Sequence, residues 1–291
     1  MENFEFRKAA RKKAKIKIGL QGPSGSGKTT SALLLAYGLV GDWTKIAVID
    51  SENGSADLYS HLGEFNVMGI AAPYSPEKYI EAIRICHSQG MEVIIIDSIS
   101  HEWEGDGGIL DIHGNMPGNS FANWSKVTPR HNSFVNAMLH TPVHIIATIR
   151  SKQDYVISEK NGKATPEKVG LKGVTRDGMD YEFTVAFDID IRHHARPSKD
   201  RTGLFASRHD LVIDHELGKE IREWCERDEI RLPDEKMDLV RAINNCKSID
   251  QLRELYENSE NLNQELVSQF SRKKNELFEF KSFESNGKFT G

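Results

Sequence analysis

The sequence predicts an α/β protein with a mostly parallel central sheet, followed by a small helical region towards the C-terminal end. Short apolar runs alternate with segments of helical periodicity over most of the chain, as consecutive βαβ units require. From about residue 216 the pattern becomes charged and amphipathic, without further strand-like runs. A chain of 291 residues is long enough for one large domain with an accessory region, and it can bury a substantial core.

The predicted strands are short and apolar, and helices or loops separate them. They are IKIGL at 16–20, KIAVI at 45–49, VIII at 93–96, VHIIATI at 143–149 and the alternating run at 181–192, with two strand-like pieces at 203–213. Helices are predicted at 31–39, 76–89 and 125–140. Residues 105–120 and 151–177 contain several glycines and little apolar periodicity, so we expect loops there, the second long and mobile.

These patterns divide the chain into four segments. Residues 1–15 are a basic arm, 16–228 the α/β core, 229–280 the helical region and 281–291 a flexible tail. The helical region carries apolar residues at helical spacing, which we expect to form its core: Leu239, Ile243, Leu252, Leu255, Leu262, Leu266 and Phe270.

Composition and charge restrict the class of protein. There are 38 Lys and Arg against 43 Asp and Glu, so the net charge is −5 and a uniformly basic nucleic-acid coat protein is excluded. The cysteines Cys86, Cys225 and Cys246 are far apart, which favours a reducing compartment over a disulfide framework. No run of about 18 apolar residues is present, and no signal-peptide pattern follows the basic start. We expect a soluble cytoplasmic protein without a membrane partner (in the host cytoplasm if a phage encodes it).

A nucleotide site is predicted between the first strand and the first helix. Residues 22–29, GPSGSGKT, match the phosphate-binding pattern G-x-x-x-x-G-K-[ST] in full, with the required strand before it and helix after it. Glycines allow backbone N–H groups to surround phosphate oxygens, and the helix N-terminus favours negative charge. We expect ATP to be bound by this loop and the first helical turn: Gly22, Pro23, Ser24, Gly25, Ser26, Gly27, Lys28, Thr29 and Thr30.

Three side chains have expected roles in binding phosphate and metal. Lys28 should contact the β- and γ-phosphates, and the Thr29 hydroxyl should bind Mg²⁺. The strand at 93–96 ends in Asp97, and a carboxylate at the carboxyl end of a parallel strand lies where open α/β sheets bind ligands. Asp97 is therefore a second predicted ligand of Mg²⁺, directly or through water.

Glu52 is the predicted catalytic base. ATP hydrolysis needs a carboxylate that polarises water against the γ-phosphate, and the run Asp50-Ser51-Glu52 directly follows the second strand. A carboxylate at that place points into the same end of the sheet as the phosphate-binding loop.

Three segments resemble RecA-like P-loop ATPases of the short, phage-type group associated with recombination and single-strand annealing: AVIDSENGSADLY, IIIDSIS and HIIATIRSK. The resemblance covers about residues 16–205 and implies a RecA-like P-loop NTPase core. In that class the catalytic Glu follows the strand after the phosphate-loop helix, as Glu52 does here. Many AAA+ enzymes instead carry it next to the metal-binding Asp, where this chain has Ser98. The resemblance also implies that Thr148 senses the γ-phosphate, at a place where RecA itself has Gln.

The resemblance further implies a homo-oligomer, a ring or a filament, with ATP at the subunit interfaces. The run KDRTG at 199–203 resembles the KNRFG-like motif with which the RadA branch contacts the γ-phosphate of a neighbouring subunit. A cationic side chain there stabilises charge in the transition state. Lys199 and Arg201 are therefore candidate catalytic residues acting in trans. The alternative is an ordinary charged turn between two strands.

Single-stranded DNA is the partner that the resemblance implies. The second of the two DNA-facing loops of the group corresponds to about 151–176, where six cations stand against three carboxylates. Candidate DNA-binding residues are Lys152, Tyr155, Lys160, Lys163, Lys168, Lys172 and Arg176. Tyr155 would stack on a base. A solvated basic loop without a ligand is the alternative.

Other segments suit DNA or protein partners less clearly. The first loop of the group, 103–124, is aromatic, but the carboxylates at its start fit DNA poorly: Glu102, Glu104 and Asp106. The basic arm would add salt-dependent affinity for any nucleic acid. Its Phe6-Arg7-Lys8-Ala9 also resembles the Phe-x-x-Ala element that eukaryotic-type recombinases insert into the next protomer. A single-strand-binding protein or a nuclease would be a further partner.

Two other functions are compatible with the phosphate-binding loop. A P-loop kinase or phosphotransferase would need a lid with several Arg residues, and Glu52 would then hold the substrate. A nucleotide-gated regulatory or assembly ATPase would have no contact with DNA. Stimulation of hydrolysis by single-stranded DNA separates these functions.

Overall fold

The structure, a computed structural model, describes residues 14–160, 163–227, 234–259, 262 and 264–286. Within these, residues 153–160, 163–170, 234–238, 241, 264–265 and 278–286 are described by their backbone only. The described residues separate into two compact units, one within 14–227 and one within 234–286. Most of the predicted basic arm and the last five residues of the predicted tail lie outside the described residues.

In the larger unit, the described strands form one mixed sheet. They are β1 Lys17–Gly22, β2 Ile46–Asp50, β3 Asn66–Gly69, β4 Val93–Asp97, β5 His144–Lys160, β6 Lys163–Gly173, β7 Val185–Ile189, β8 His194–Asp200 and β9 Leu211–Val212. The order is β3-β2-β4-β5-β1-β7-β8-β9, and β6 pairs only with the outer part of β5. The pairs from β3 to β7 are parallel, and the pairs β7–β8, β8–β9 and β5–β6 are antiparallel. The predicted fold class, an α/β core of the RecA-like P-loop type with a mostly parallel sheet, is confirmed.

Helices cover both faces of this sheet. They are α1 Lys28–Val40, α2 Pro76–Ser88, α3 Ser100–Glu104, α4 Ile109–Gly114, α5 Ser120–His140 and α6 His215–Glu226. Successive residues of β4 belong to two separate cores, Ile95 to the one with α1 and α6 and Ile96 to the one with α2 and α5. A strand buried on both faces reads as a continuous apolar run, which is why VIII was recognisable in the sequence. On one face Gly38 and Gly218 allow α1 and α6 to approach closely, since a Cβ on Gly38 would lie 2.6 Å from the Gly218 Cα.

The prediction of a long loop at 151–177 is wrong for most of these residues. Strand β5 continues to Lys160 and pairs with β6 in an antiparallel ribbon, from Ser151 opposite Gly173 to Lys160 opposite Lys163. The run Tyr155–Ile157 has residue types that favour strands, and an Asn-Gly dipeptide in the sequence is typical of hairpins. The sequence of the ribbon has no apolar stripe, and such a stripe is the pattern from which the other strands were predicted.

Smaller differences concern loops. Helix α4 lies inside the predicted loop 105–120, and the edge strand β3 was not predicted because its residues are mostly exposed. Only β9 is a strand within 203–213. The turn between β8 and β9 is organised by the Asp200 carboxylate, which accepts hydrogen bonds from the backbone N–H groups of Thr202 at 2.7 Å and Phe205 at 2.8 Å. Such side-chain bonds compete with strand pairing.

The smaller unit contains three helices among its described residues: α7 Asp234–Asn245, α8 Ile249–Glu257 and α9 Gln264–Asn286. Four of the predicted core residues are buried, namely Ile243, Leu252, Leu266 and Phe270. Leu239, Leu255 and Leu262 pack against this cluster with partial exposure. Helix α9 runs past residue 280, where the sequence analysis placed the start of the tail. No helix in the described part of the chain is long and apolar enough to span a membrane.

His144, at the start of β5, makes stability depend on pH. Its Nδ1 accepts a hydrogen bond from the backbone N–H of Ile16 at 3.2 Å, so this nitrogen carries no proton. Burial, together with the charges of Lys15 and Lys17, lowers the pKa of His144 from 6.5 to about 3. Between these values the unfolded chain binds a proton that the folded chain does not. The free energy of unfolding should therefore fall as the pH is lowered from about 6.5, by up to about 1.4 kcal/mol per pH unit from this group.

Urea denaturation at several pH values measures this effect. A His144→Asn variant keeps an acceptor near the Nδ1 position but cannot titrate, so its stability should change less between pH 6.5 and pH 5 than that of the parent. His140→Asn is the matched control, because His140 is exposed at the end of α5 and should leave the pH dependence as it is. Equal pH dependence in the parent and His144→Asn would contradict the prediction.

Candidate functional site

The phosphate-binding loop lies between β1 and α1, at the carboxyl end of the parallel strands. Gly25 and Gly27 have φ angles of 79° and 84°, in the left-handed region that favours glycine. Gly27 is also the residue before the first turn of α1, so the positive end of the helix dipole faces the loop. Thr30 lies in that first turn, and Ser26 is completely buried inside the loop.

Lys28 is held against the start of the loop. Its Nζ donates hydrogen bonds to the carbonyls of Gly22 at 2.9 Å and Pro23 at 2.8 Å. Burial lowers the pKa of Lys28, while the carboxylates of Asp97 and Glu52 act in the opposite direction. The ammonium therefore stands beside the loop that would surround the phosphates.

Asp97 ends β4 and receives two hydroxyl groups. Thr29 Oγ1 donates to its Oδ2 at 2.6 Å, and Thr148 Oγ1 donates to its Oδ1 at 2.6 Å. Burial raises the pKa of Asp97, and the two hydroxyl bonds offset this in part. Thr148 is fully buried and does not line the nucleotide cavity described below, so its described contact is with Asp97. Any response of Thr148 to the γ-phosphate would pass through that carboxylate.

Glu52 is placed by the turn that follows β2. The buried Asp50 carboxylate accepts the backbone N–H of Glu52 at 2.6 Å and that of Ala56 at 2.9 Å, which fixes the chain as it leaves the strand. The Glu52 carboxylate then accepts two hydrogen bonds from the Arg150 guanidinium, one of them from Nε at 2.7 Å, and one from Ser98 Oγ at 3.1 Å. Burial alone would raise the pKa of Glu52, but the contacts with Arg150 outweigh it and lower the pKa.

These groups surround one cavity of about 510 Å³. Its lining residues are Ser24, Gly25, Gly27, Lys28, Thr29, Glu52, Ser55, Tyr59, Asp97, Arg150 and Ser151. The structure thus brings together Lys28, Thr29, Glu52 and Asp97, which the sequence analysis selected from three separate segments. The size is that of an ordinary small-molecule site.

Four lining residues of this cavity were not predicted from the sequence: Ser55, Tyr59, Arg150 and Ser151. Arg150 could have been found from strand periodicity, since it lies two residues after Thr148 and alternate residues of a strand share a face. Tyr59 lies in the 3-10 turn Ser55–Leu62, which has no distinctive sequence pattern.

Lys199 and Arg201 lie away from this cavity. Lys199 Nζ donates to the Asp180 carbonyl at 3.0 Å and to the Tyr181 carbonyl, and Arg201 donates to the Tyr181 carbonyl at 3.0 Å. Neither side chain lines the nucleotide cavity of its own chain. A contact with the γ-phosphate would therefore have to come from a neighbouring copy.

A second cavity, of about 620 Å³, combines aromatic and cationic side chains. It is lined by Trp103, Trp124, Thr128, Lys152, Lys172, Gly173, Val174, Thr175, Arg176 and Asp177. The centroids of the stacked Trp103 and Trp124 rings lie 6.0 Å apart, and the His113 ring also stacks on Trp124, with centroids 4.2 Å apart. Three of the seven predicted DNA-binding residues meet here: Lys152, Lys172 and Arg176. The side chains of Tyr155, Lys160, Lys163 and Lys168 lie outside the described residues.

Two of the three acidic residues that argued against DNA in this region are paired with basic side chains. Glu102 is 1% exposed, and both of its carboxylate oxygens contact His131 Nδ1, at 3.0 and 3.1 Å. Glu104 forms an ion pair with Lys152 at 3.3 Å. Of the three carboxylates, only Asp106 has no basic side chain as a partner among the contacts described. The aromatic surface is therefore less acidic than the sequence suggests.

Helix α3 begins three residues after Asp97 and has contacts near both cavities. Ser100 Oγ accepts the backbone N–H of Arg150 at 2.9 Å, and His101 Nδ1 lies 2.8 Å from the Ser51 hydroxyl beside Glu52. Two residues later Trp103 lines the aromatic cavity. Residues of α3 therefore contact the surroundings of both cavities.

The comparison with protein-family models agrees with a nucleotide site. A protein-family model described as an AAA domain matches residues 14–213. Among solved structures, a prototypical ATPase from the type III secretion system of pathogenic bacteria is similar over 60% of this chain, with 14% sequence identity and a TM-score of 0.39. The matched part spans 51% of that ATPase. No curated protein matches the sequence.

Proposed function

Because the chain belongs to the AAA domain family and is a P-loop ATPase of that type, we propose that it hydrolyses ATP with Mg²⁺ and acts on single-stranded DNA. Phage-type recombination or strand annealing is the process we assign to it. The observation that carries the proposal is the stacked Trp103–Trp124 pair beside Lys152, Lys172 and Arg176, next to the nucleotide cavity.

The residues of the nucleotide cavity divide the chemistry among them. The loop N–H groups and Lys28 bind the phosphates. The Thr29 hydroxyl and the Asp97 carboxylate are adjacent oxygen donors, which is the ligand chemistry that Mg²⁺ prefers. The bound ion would neutralise charge on the phosphate oxygens. Glu52, with its lowered pKa, is ionised and accepts the proton of the attacking water.

Arg150 has to release Glu52 before that proton transfer. In the structure the guanidinium donates hydrogen bonds to both oxygens of the Glu52 carboxylate. A carboxylate engaged in this way is a poor acceptor for a proton from water. The γ-phosphate provides another anion in the same cavity, so ATP binding would draw Arg150 away and free the base. This exchange would couple hydrolysis to correct seating of the nucleotide.

Binding of single strands needs flat rings for stacking and cations for the phosphates. The aromatic cavity has both within one surface. Its lining carboxylate, Asp177, pairs with Lys172 at 2.7 Å, and the nearby Glu104 pairs with Lys152. Duplex DNA offers its bases only at groove edges, so stacked tryptophans favour an unpaired strand. Through helix α3, binding of nucleotide would influence this surface.

Two measurements test the proposal. Fluorescence anisotropy with labelled oligo-dT should show binding that strengthens with a non-hydrolysable ATP analogue and weakens steeply with salt. Steady-state hydrolysis should rise when the same oligonucleotide is added. Intact basal hydrolysis without binding of DNA would contradict the DNA part and favour the nucleotide-gated assembly ATPase.

We also propose that the active form is a homo-oligomer in which Lys199 or Arg201 reaches a neighbour's ATP. Two inactive variants test this, one with Lys28→Ala and one with both Lys199→Ala and Arg201→Ala. An equimolar mixture should recover part of the activity, because subunits with an intact cavity receive cations from the Lys28 variant. A single variant carrying all three changes is the control and should recover none. No recovery in mixed oligomers would contradict action in trans.

A further inference from the structure

The turn between β7 and β8 contacts the phosphate-binding loop from outside the nucleotide cavity. His193, at the tip of this turn, places its Nδ1 3.0 Å from the Ser26 carbonyl oxygen. The same nitrogen would lie 2.9 Å from a Cβ on Gly27. Gly27 lines the nucleotide cavity and His193 does not, so the ring contacts the loop from outside that cavity.

The turn is built to hold the ring there. Asp190 Oδ1 accepts the backbone N–H groups of Arg192 at 2.8 Å and His194 at 3.0 Å, and the His193 N–H donates to the Asp190 carbonyl at 3.0 Å. His193 has a φ of 67°, a conformation that residues other than glycine and asparagine adopt rarely. A backbone this closely specified gives the ring a defined direction.

The contact orients the peptide between Ser26 and Gly27. A carbonyl oxygen can only accept, so Nδ1 carries the hydrogen and donates to Ser26. That carbonyl and the N–H of Gly27 belong to one planar trans peptide, in which the two groups point in opposite directions. Holding the carbonyl outward, towards His193, therefore turns the Gly27 N–H inward, towards the cavity.

We propose that His193 is a positioning residue for ATP binding, which fixes the Ser26–Gly27 peptide with its N–H directed at the phosphates. This inference rests on the proposed binding of ATP at the loop. It assigns a role in the nucleotide site to the β7–β8 turn, which the phosphate-binding motif does not include. The hydrogen bond acts before ATP arrives, so it lowers the cost of ordering the loop around the phosphates.

Two substitutions at residue 193 separate the effect of losing the hydrogen-bond donor from the effect of changing the backbone conformation. Asparagine at 193 tolerates the positive φ and carries an amide N–H close to the position of Nδ1, whereas glycine tolerates the φ but has no donor. We expect His193→Gly to raise the KM for ATP by about 2-fold to about 10-fold with kcat nearly unchanged, the size of one hydrogen bond. His193→Asn should stay close to the parent.

Steady-state kinetics over a range of ATP concentrations gives both constants, and thermal unfolding without nucleotide shows whether the variants are equally folded. His194→Ala is the neighbouring control and should keep the parent KM. A parent KM in His193→Gly, or equal loss in the Gly and Asn variants, would overturn the inference alone. A parent chain that binds no ATP would overturn the proposed function and the inference together.

Discussion

A Glu52→Gln variant is expected to hydrolyse ATP at least about 100-fold more slowly than the parent, because a positioned general base contributes about 10²–10⁴ to the rate. Glutamine has the same shape and can still accept the Ser98 hydrogen bond, but its amide cannot take the proton of the attacking water. The loss should appear in kcat. Nucleotide affinity should be kept, since Glu52 makes no described contact with the phosphate-binding loop or with Thr29 and Asp97.

Binding of a fluorescent ATP analogue alongside steady-state hydrolysis separates the two effects. Asp57→Asn is the matched control, because it makes the same chemical change on an exposed residue of the next turn that does not line the cavity. Its rate should equal that of the parent. Parent-like hydrolysis by Glu52→Gln would remove Glu52 as the base and leave the water without an identified activator in this cavity.

The second large effect is expected at the aromatic cavity. Replacing Trp124 by alanine removes a ring that stacks on both Trp103 and His113. A base stacked on an aromatic side chain contributes about 1–3 kcal/mol, so affinity for single-stranded DNA should fall by about 5-fold to about 150-fold. Trp124→Phe should lose much less, because a flat ring remains. Anisotropy with labelled oligo-dT measures the affinities.

Hydrolysis without DNA controls for damage to the fold, and it should be unchanged in both Trp124 variants. Tyr256→Ala provides a comparable loss of an aromatic ring, 44% exposed, in the smaller unit, and Tyr256 does not line the aromatic cavity. It should bind DNA as the parent does. If Trp124→Ala also binds with parent affinity, the aromatic cavity is not the DNA site, and the basic ribbon β5–β6 becomes the next surface to test.

Local sequence patterns predicted much of the larger unit. The runs at 93–96 and 145–147 are apolar because both faces of the sheet are buried there, and such runs are recognisable without a structure. The phosphate-binding loop was equally clear, since its glycines, Lys28 and Thr29 are adjacent in the chain. The β5–β6 ribbon was missed for the opposite reason, because its pairing depends on backbone bonds and it has no apolar stripe.

What the sequence determined by itself is the α/β class, the phosphate-binding loop and the carboxylates Glu52 and Asp97 at strand ends, since each follows from neighbouring residues. Only the tertiary structure decided which distant side chains meet. Arg150 binds Glu52 across 98 positions, and His193 contacts Ser26 across 167. Such pairs depend on the order of strands in the sheet and on where each turn ends. Burial then sets their charge state and strength, and neither quantity is encoded in any short stretch of sequence.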